Sequence, residues 1–157
     1  MPRLQVYLVH HGHAVGPDVD IRRPLSAAGR AASERVAAEA AARGMKPQVV
    51  WHSGKLRAKQ TAEIFWRASN ALAELSATKD LQPEDPAVWM RDRLRHESRD
   101  VLIAGHFTHL PRLLALMRGE QDGAMADFPL HGIVSLRSDD EGQTWTEEWR
   151  IESREDR

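Results

Sequence analysis

The stretch Leu4–His13, LQVYLVHHGH, decides how this chain is read. Leu4 to Val9 is a short apolar run rich in strand formers, and it breaks off at His10-His11-Gly12. Such a run predicts a strand buried on both faces, of the kind that fills parallel sheets. Two later stretches repeat the pattern: Val49–Trp51 runs into His52 and Ser53, and Val101–Ala104 runs into Gly105 and His106.

Helices are expected between these strands. Residues 13–25 carry Gly16, Pro17 and Pro24 and read as a loop. Ser26 is placed to cap an Ala-rich helix reaching about Arg43, with Gly44 in the stop position. Leu56 to about Ser69 predicts a second helix, with Leu56, Ile64 and Phe65 at helical spacing. Ala87–Arg95 predicts a third and Leu110–Arg118 a fourth, and Leu81–Pro86 (LQPEDP) is a loop. Gly132–Arg137 and Thr144–Ile151 alternate as two late strands joined by the turn residues Asp139–Gly142. Strands alternating with helices predict an α/β fold: one three-layer domain over residues 1–157, with a mainly parallel sheet and helices on both faces. Trp66 and Trp89 are expected in the core, and Trp145 and Trp149 on one face of the sheet.

Composition narrows the function. With 22 basic and 23 acidic side chains the formal net charge is −1, which gives no electrostatic case for nucleic acid or an anionic membrane. Cysteine is absent, which excludes disulfides, thiolate metal sites and a cysteine nucleophile. The N-terminal apolar run is far short of the about 20 residues that span a bilayer and lacks a signal-peptide core. A cytoplasmic location is therefore expected.

In open α/β sheets ligands bind beyond the carboxyl ends of the strands. Three predicted strands end there in His10, His11, Gly12 and His13, in His52, Ser53 and Arg57, and in Gly105, His106 and His109. Imidazoles and a guanidinium converging on one edge suit an anion that undergoes nucleophilic or proton chemistry. The helices after the second and third strands would add oriented backbone donors for a phosphate.

Four segments carry a resemblance. YLVHHGHA (7–14) resembles the strand-plus-Arg-His-Gly signature of the histidine phosphatase superfamily, which includes the phosphoglycerate mutases. RRPLSAAGR (22–30) matches the Arg-Pro-Leu-(Ser/Thr)-x-x-Gly stretch that follows it. VVWHSGKLRAKQTAE (49–63) is similar to the Ser-Ser-Pro-x-x-Arg-Ala-x-Gln-Thr motif, and VLIAGHFTHLPRLL (101–114) looks like the second-histidine motif. They come in the family's order, and the chain's shortness looks most like the SixA-type phosphohistidine phosphatases. The resemblance implies a phosphoglycerate mutase-like fold and hydrolysis of a phosphorylated substrate, a phosphohistidine-bearing protein or a small phosphoester, without a cofactor. It implies His11 as the phosphorylated nucleophile, His106 as the second catalytic histidine, and Arg57 and Arg23 on the phosphate.

One departure matters. His10 stands where the family has arginine, replacing a permanently charged fork with a ring of reference pKa about 6.5. Losing one transition-state donor typically costs on the order of 10²–10³ in rate. His10 is expected to substitute when protonated, which would push activity toward acidic pH. The same departure motivates a second reading, a phosphate- or phosphoprotein-binding module with weakened turnover. Glu84 and Asp85 are the candidates for a general acid, against a solvated turn as the plain alternative. A metal site built from His10, His11, His13, His106 and His109 is a third reading, disfavoured because no carboxylate-bearing metal motif occurs. His131, in the loop before a strand, is read equally as pocket lining or loop decoration.

Overall fold

A computed structural model describes residues 3–154. Its elements run in the order β1 (Leu4–His10), α1 (Ala27–Ala42), β2 (Val49–His52), α2 (Leu56–Ser69), β3 (Glu74–Ala77), α3 (Ala87–Leu94), β4 (Val101–Gly105), α4 (His109–Met117), β5 (Ile133–Ser138) and β6 (Thr146–Ile151). The six strands form one sheet in the order β3-β2-β4-β1-β5-β6. The first four are mutually parallel. β5 then runs antiparallel to β1, and β6 antiparallel to β5.

Apolar residues occupy both faces of the central strands because both faces are covered. Val6 and Leu8 of β1, Val49 and Trp51 of β2, and Val101 and Ile103 of β4 pack with Met90, Leu94, Leu110, Leu113 and Leu114 of α3 and α4. Their neighbours Tyr7, Val9, Val50, Leu102 and Ala104 point the other way, onto Val36, Ala37, Ala40, Ile64 and Phe65 of α1 and α2. This period of two, read across three strands, is why the sequence shows short unbroken apolar runs.

Local signals set the helix ends. Ser26 Oγ accepts the Gly29 N–H at 2.9 Å, capping α1, and Gly44 at φ 93° takes the left-handed turn that stops it.

Three expectations are corrected. β3 is a short edge strand that the sequence reading left out. Trp89 is 50% exposed rather than in the core. Trp145 packs against the α3/α4 side and Trp149 against the α1/α2 side, because a register shift between Ser135 and Leu136 breaks the alternation along β6.

Candidate active site

β1 and β4 end level, with Val9 opposite Ala104 and His10 opposite Gly105, and β2 ends beside them with His52 opposite Ala104. Beyond this edge the chain stays anchored on both sides. The His10 N–H donates to the Gly132 carbonyl at 3.0 Å and the His11 N–H to the Gly105 carbonyl at 3.1 Å.

His11 Nδ1 lies 2.7 Å from the Gly12 carbonyl. A carbonyl only accepts, so Nδ1 carries the proton and the neutral ring keeps its lone pair on Nε2. Burial lowers the His11 pKa from 6.5 to about 4, with Arg57, His131 and Arg23 acting in the same direction against the Gly12 hydrogen bond. The ring is neutral near pH 7.

The His106 ring centroid stands 5.1 Å from that of His11, at 58°. His106 is 1% exposed, and its Nε2 lies 2.7 Å from Ser53 Oγ. Gln82 Nε2 donates to the Ser53 carbonyl at 2.9 Å, tying the end of β2 to the loop between β3 and α3. Burial first, then His11 and Arg57, lower the His106 pKa to about 3.

Arg57, in the first turn of α2, acts electrostatically on His10, His11 and His106 alike. Burial and the neighbouring Arg23 lower its own pKa. Arg23 sits at φ 50°, and its Nε donates to the Val15 carbonyl at 3.0 Å. Among the described residues no carboxylate forms an ion pair with either arginine. The structure thus brings His11, His106, Arg57 and Arg23 to one place.

The rest of the motif supports it. Thr61 Oγ1 accepts the Gly12 N–H at 3.0 Å while donating to the Arg57 carbonyl at 2.8 Å, so one hydroxyl joins the histidine loop to α2. Gln60 Oε1 accepts the Leu25 N–H at 2.7 Å. α1 presses on the loop closely enough that a Cβ at Gly12 would strike Ser33 Oγ, and one at Gly29 the His13 carbonyl.

His10 is 5% exposed. Its ring is stacked between Phe107, at 4.0 Å and 10°, and His131, at 4.8 Å and 8°. The His131 backbone N–H donates to His10 Nδ1 at 2.8 Å, and His131 Nδ1 lies 2.7 Å from the His11 carbonyl. Burial first, then His11, His131, His106 and Arg57, push the His10 pKa down to about 2. The imidazolium expected to stand in for arginine at acidic pH does not fit this environment, which keeps the His10 ring neutral in mild acid as well. His131 belongs to the site. Its place could have been found only from the antiparallel pairing that sets Val9 opposite Ile133.

Other candidates have other partners. Glu84 and Asp85 stand in the loop between β3 and α3, and among the described residues no hydrogen bond joins them to His11 or His106. Asp85 instead accepts the Gln82 N–H at 2.9 Å and faces His109, which is fully buried. His13 is exposed, its Nδ1 2.9 Å from Ser26 Oγ. Among the described residues the five histidines of the metal reading do not gather as one ligand set. The group that does gather is His10, His11 and His131, with one ring nitrogen of each within 4.8 Å of the others. It fits a metal poorly: His10 Nδ1 is engaged by an amide, which leaves the proton on Nε2, and Arg57 and Arg23 stand close by.

No family model matches the sequence, and no curated protein matches it. Solved structures do. The protein histidine phosphatase SixA complexed with tungstate superposes with a TM-score of 0.79 at 23% identity, covering 95% of this chain and 97% of that one. A candidate phosphohistidine phosphatase SixA from Agrobacterium tumefaciens gives 0.75 at 22% identity, covering 94% and 97%. A phosphoglycerate mutase from Plasmodium falciparum gives 0.72 at 18% identity, covering 95% and 91%. The architecture is therefore the phosphoglycerate mutase-like α/β fold. The superposition takes in nearly all of this chain and of both SixA structures. No helix among the described residues is long and apolar enough to cross a membrane.

Proposed function

We propose that this protein is a phosphatase that passes the phosphoryl group through His11 Nε2. The observation that carries this reading is the Nδ1 contact to the Gly12 carbonyl at 2.7 Å, which leaves a lone pair on Nε2 beside His106 and two uncompensated arginines. Nε2 attacks phosphorus in line, the bond to the leaving group breaks, and a phosphoimidazole forms. Water then attacks the same phosphorus, the P–N bond breaks, and phosphate departs. Arg57 and Arg23 stabilise the charge on the equatorial oxygens as it is redistributed. His106 lies across from His11 and would contact those oxygens.

The substrate class follows from what surrounds the imidazoles. A phosphoester needs a proton delivered to its leaving oxygen, and of the two candidate acids Asp85 is engaged by the Gln82 N–H and by His109. A phosphohistidine releases a readily protonated imidazole and depends less on such an acid. A phosphohistidine-bearing protein is therefore the preferred substrate, with a small phosphoester the slower one. His10, buried and neutral where the resembling family has a fixed cation, favours a second reading in which phosphate binds but turnover is weak.

The test sets a phosphohistidine protein and an aryl phosphate side by side. An acid-labile label on the wild type that vanishes in His11→Ala, with faster release from the phosphohistidine protein, is the expected result. Tight phosphate binding without turnover at any pH would support the binding module instead, and neither label nor binding would end both readings.

A further inference from the structure

We propose that His10 serves the phosphoryl site as a neutral hydrogen-bond donor through Nε2–H, with its tautomer imposed by the backbone N–H of His131. The purpose of this donor rests on the phosphatase reading, but the tautomer does not. The His131 amide stands 2.8 Å from His10 Nδ1. An amide N–H can only donate, so Nδ1 must keep its lone pair, and the one proton of a neutral imidazole goes to Nε2. A second proton on the ring would set two N–H groups head to head and orphan a buried amide.

The surroundings hold the ring in that state. Phe107 and His131 sandwich it almost face to face, at 4.0 and 4.8 Å. The titratable and charged groups that face it are His11, His131 and His106, from β1's continuation, the loop before β5 and the end of β4, together with Arg57 from α2. None is an acid that would favour a cation. One ring nitrogen of His10 lies within 4.8 Å of one on His11, which places the residue within reach of a phosphoryl group on the nucleophile. An arginine in this position would add charge and a fork of donors. Here the position supplies one directed N–H whose strength does not vary with pH across the neutral range.

Long-range proton–nitrogen NMR on the whole protein reads the tautomer directly. The expected spectrum has His10 protonated at Nε2 and bare at Nδ1, unchanged from pH 5 to pH 8. A proton on Nδ1, or an imidazolium at pH 6, would overturn the proposal whatever the enzyme does. Kinetics with an aryl phosphate test the role. His10→Gln offers an amide N–H at the position of Nε2, whereas His10→Phe keeps a flat ring between Phe107 and His131 and removes the donor. His10→Phe is expected to lower kcat/KM about 10²–10³-fold, and His10→Gln to stay within about tenfold of wild type. Both pH profiles should keep the wild-type shape. A His10→Phe variant as active as wild type, or a His10→Gln variant no better than His10→Phe, would refute the donor role. A wild type that turns over nothing and takes no label on His11 would instead fail the phosphatase reading, and the spectrum would still decide the tautomer.

Discussion

At the carboxyl edge of the parallel strands, Arg57 and Arg23 stand among imidazoles with no acid paired to them among the described residues, while the arginines of the β5–β6 hairpin are each tied to carboxylates. Arg137 reaches Glu148 at 3.2 Å and Asp139 at 3.3 Å. Arg150 reaches Glu147 at 2.8 Å and Asp127 at 3.4 Å. The two regions use one residue type for two purposes. In the hairpin, charge is neutralised locally, half in solvent, where such pairs contribute little to stability. At the strand edge, two guanidiniums are held close together, and burial and each other's charge lower the Arg57 pKa. An anion from outside would complete such an arrangement, as the proposed phosphoryl site requires.

Several substitutions would break or sharpen that contrast. The largest effect is expected for Arg57→Ala, which should lower kcat/KM about 10²–10³-fold, read in steady-state kinetics with an aryl phosphate. A loss below threefold would mean that the unpaired cation is not on the reaction path.

Acid should destabilise the fold next. His10, His11 and His106 have folded-state pKa values lowered to about 2, 4 and 3. Unfolded imidazoles take up protons near the ordinary value of about 6.5, so their contribution is complete above that pH and is lost as pH falls below it, down to about 4 for His11, 3 for His106 and 2 for His10. Each ring can remove up to ~1.4 kcal/mol per pH unit in that window. The urea midpoint should therefore drop from pH 7 to pH 5, and more gently in His10→Phe. A flat midpoint would show that the rings are not kept neutral. Added salt should weaken the hairpin ion pairs and leave this acid sensitivity largely in place.

Thr61→Val should cost about 1–3 kcal/mol, because it orphans the Gly12 N–H at a buried position. Thermal unfolding at pH 7 measures it, and Thr61→Ser should recover most of the loss. The smallest effects belong to the hairpin. Arg137→Ala and Arg150→Ala should each change stability by less than ~1 kcal/mol and leave kcat/KM within about twofold. A kinetic effect there as large as that of Arg57→Ala would erase the distinction between the two regions.

The parts legible in the sequence were those whose signal is local. The runs ending at His11, His52 and His106 identified the strands and the edge where they meet, because burial on both faces leaves an unbroken apolar stretch. Ser26 and Gly44 marked the ends of α1 through cap chemistry. β3 was not legible: Glu74–Ala77 is exposed or half-buried and is a strand only because β2 offers it a ladder. His131 could not be placed either, since nothing near it in the chain says that β5 will lie against β1. The state of His10 was misjudged for a related reason. Its titration is governed first by burial, and the groups packed on the ring, Phe107 and an amide 121 residues away, are not announced by its neighbours in the chain.

β1 lies between β4 and β5, so the segment carrying His10 and His11 is bounded by strands from much later in the chain. The His11 carbonyl and the His106 imidazole meet side chains 120 and 53 residues distant, respectively. A half-folded chain can hold its helices and still lack the assembled imidazole cluster. Recovery of turnover during refolding should consequently lag the return of helical signal, because closing such long loops is the slow part of building this topology.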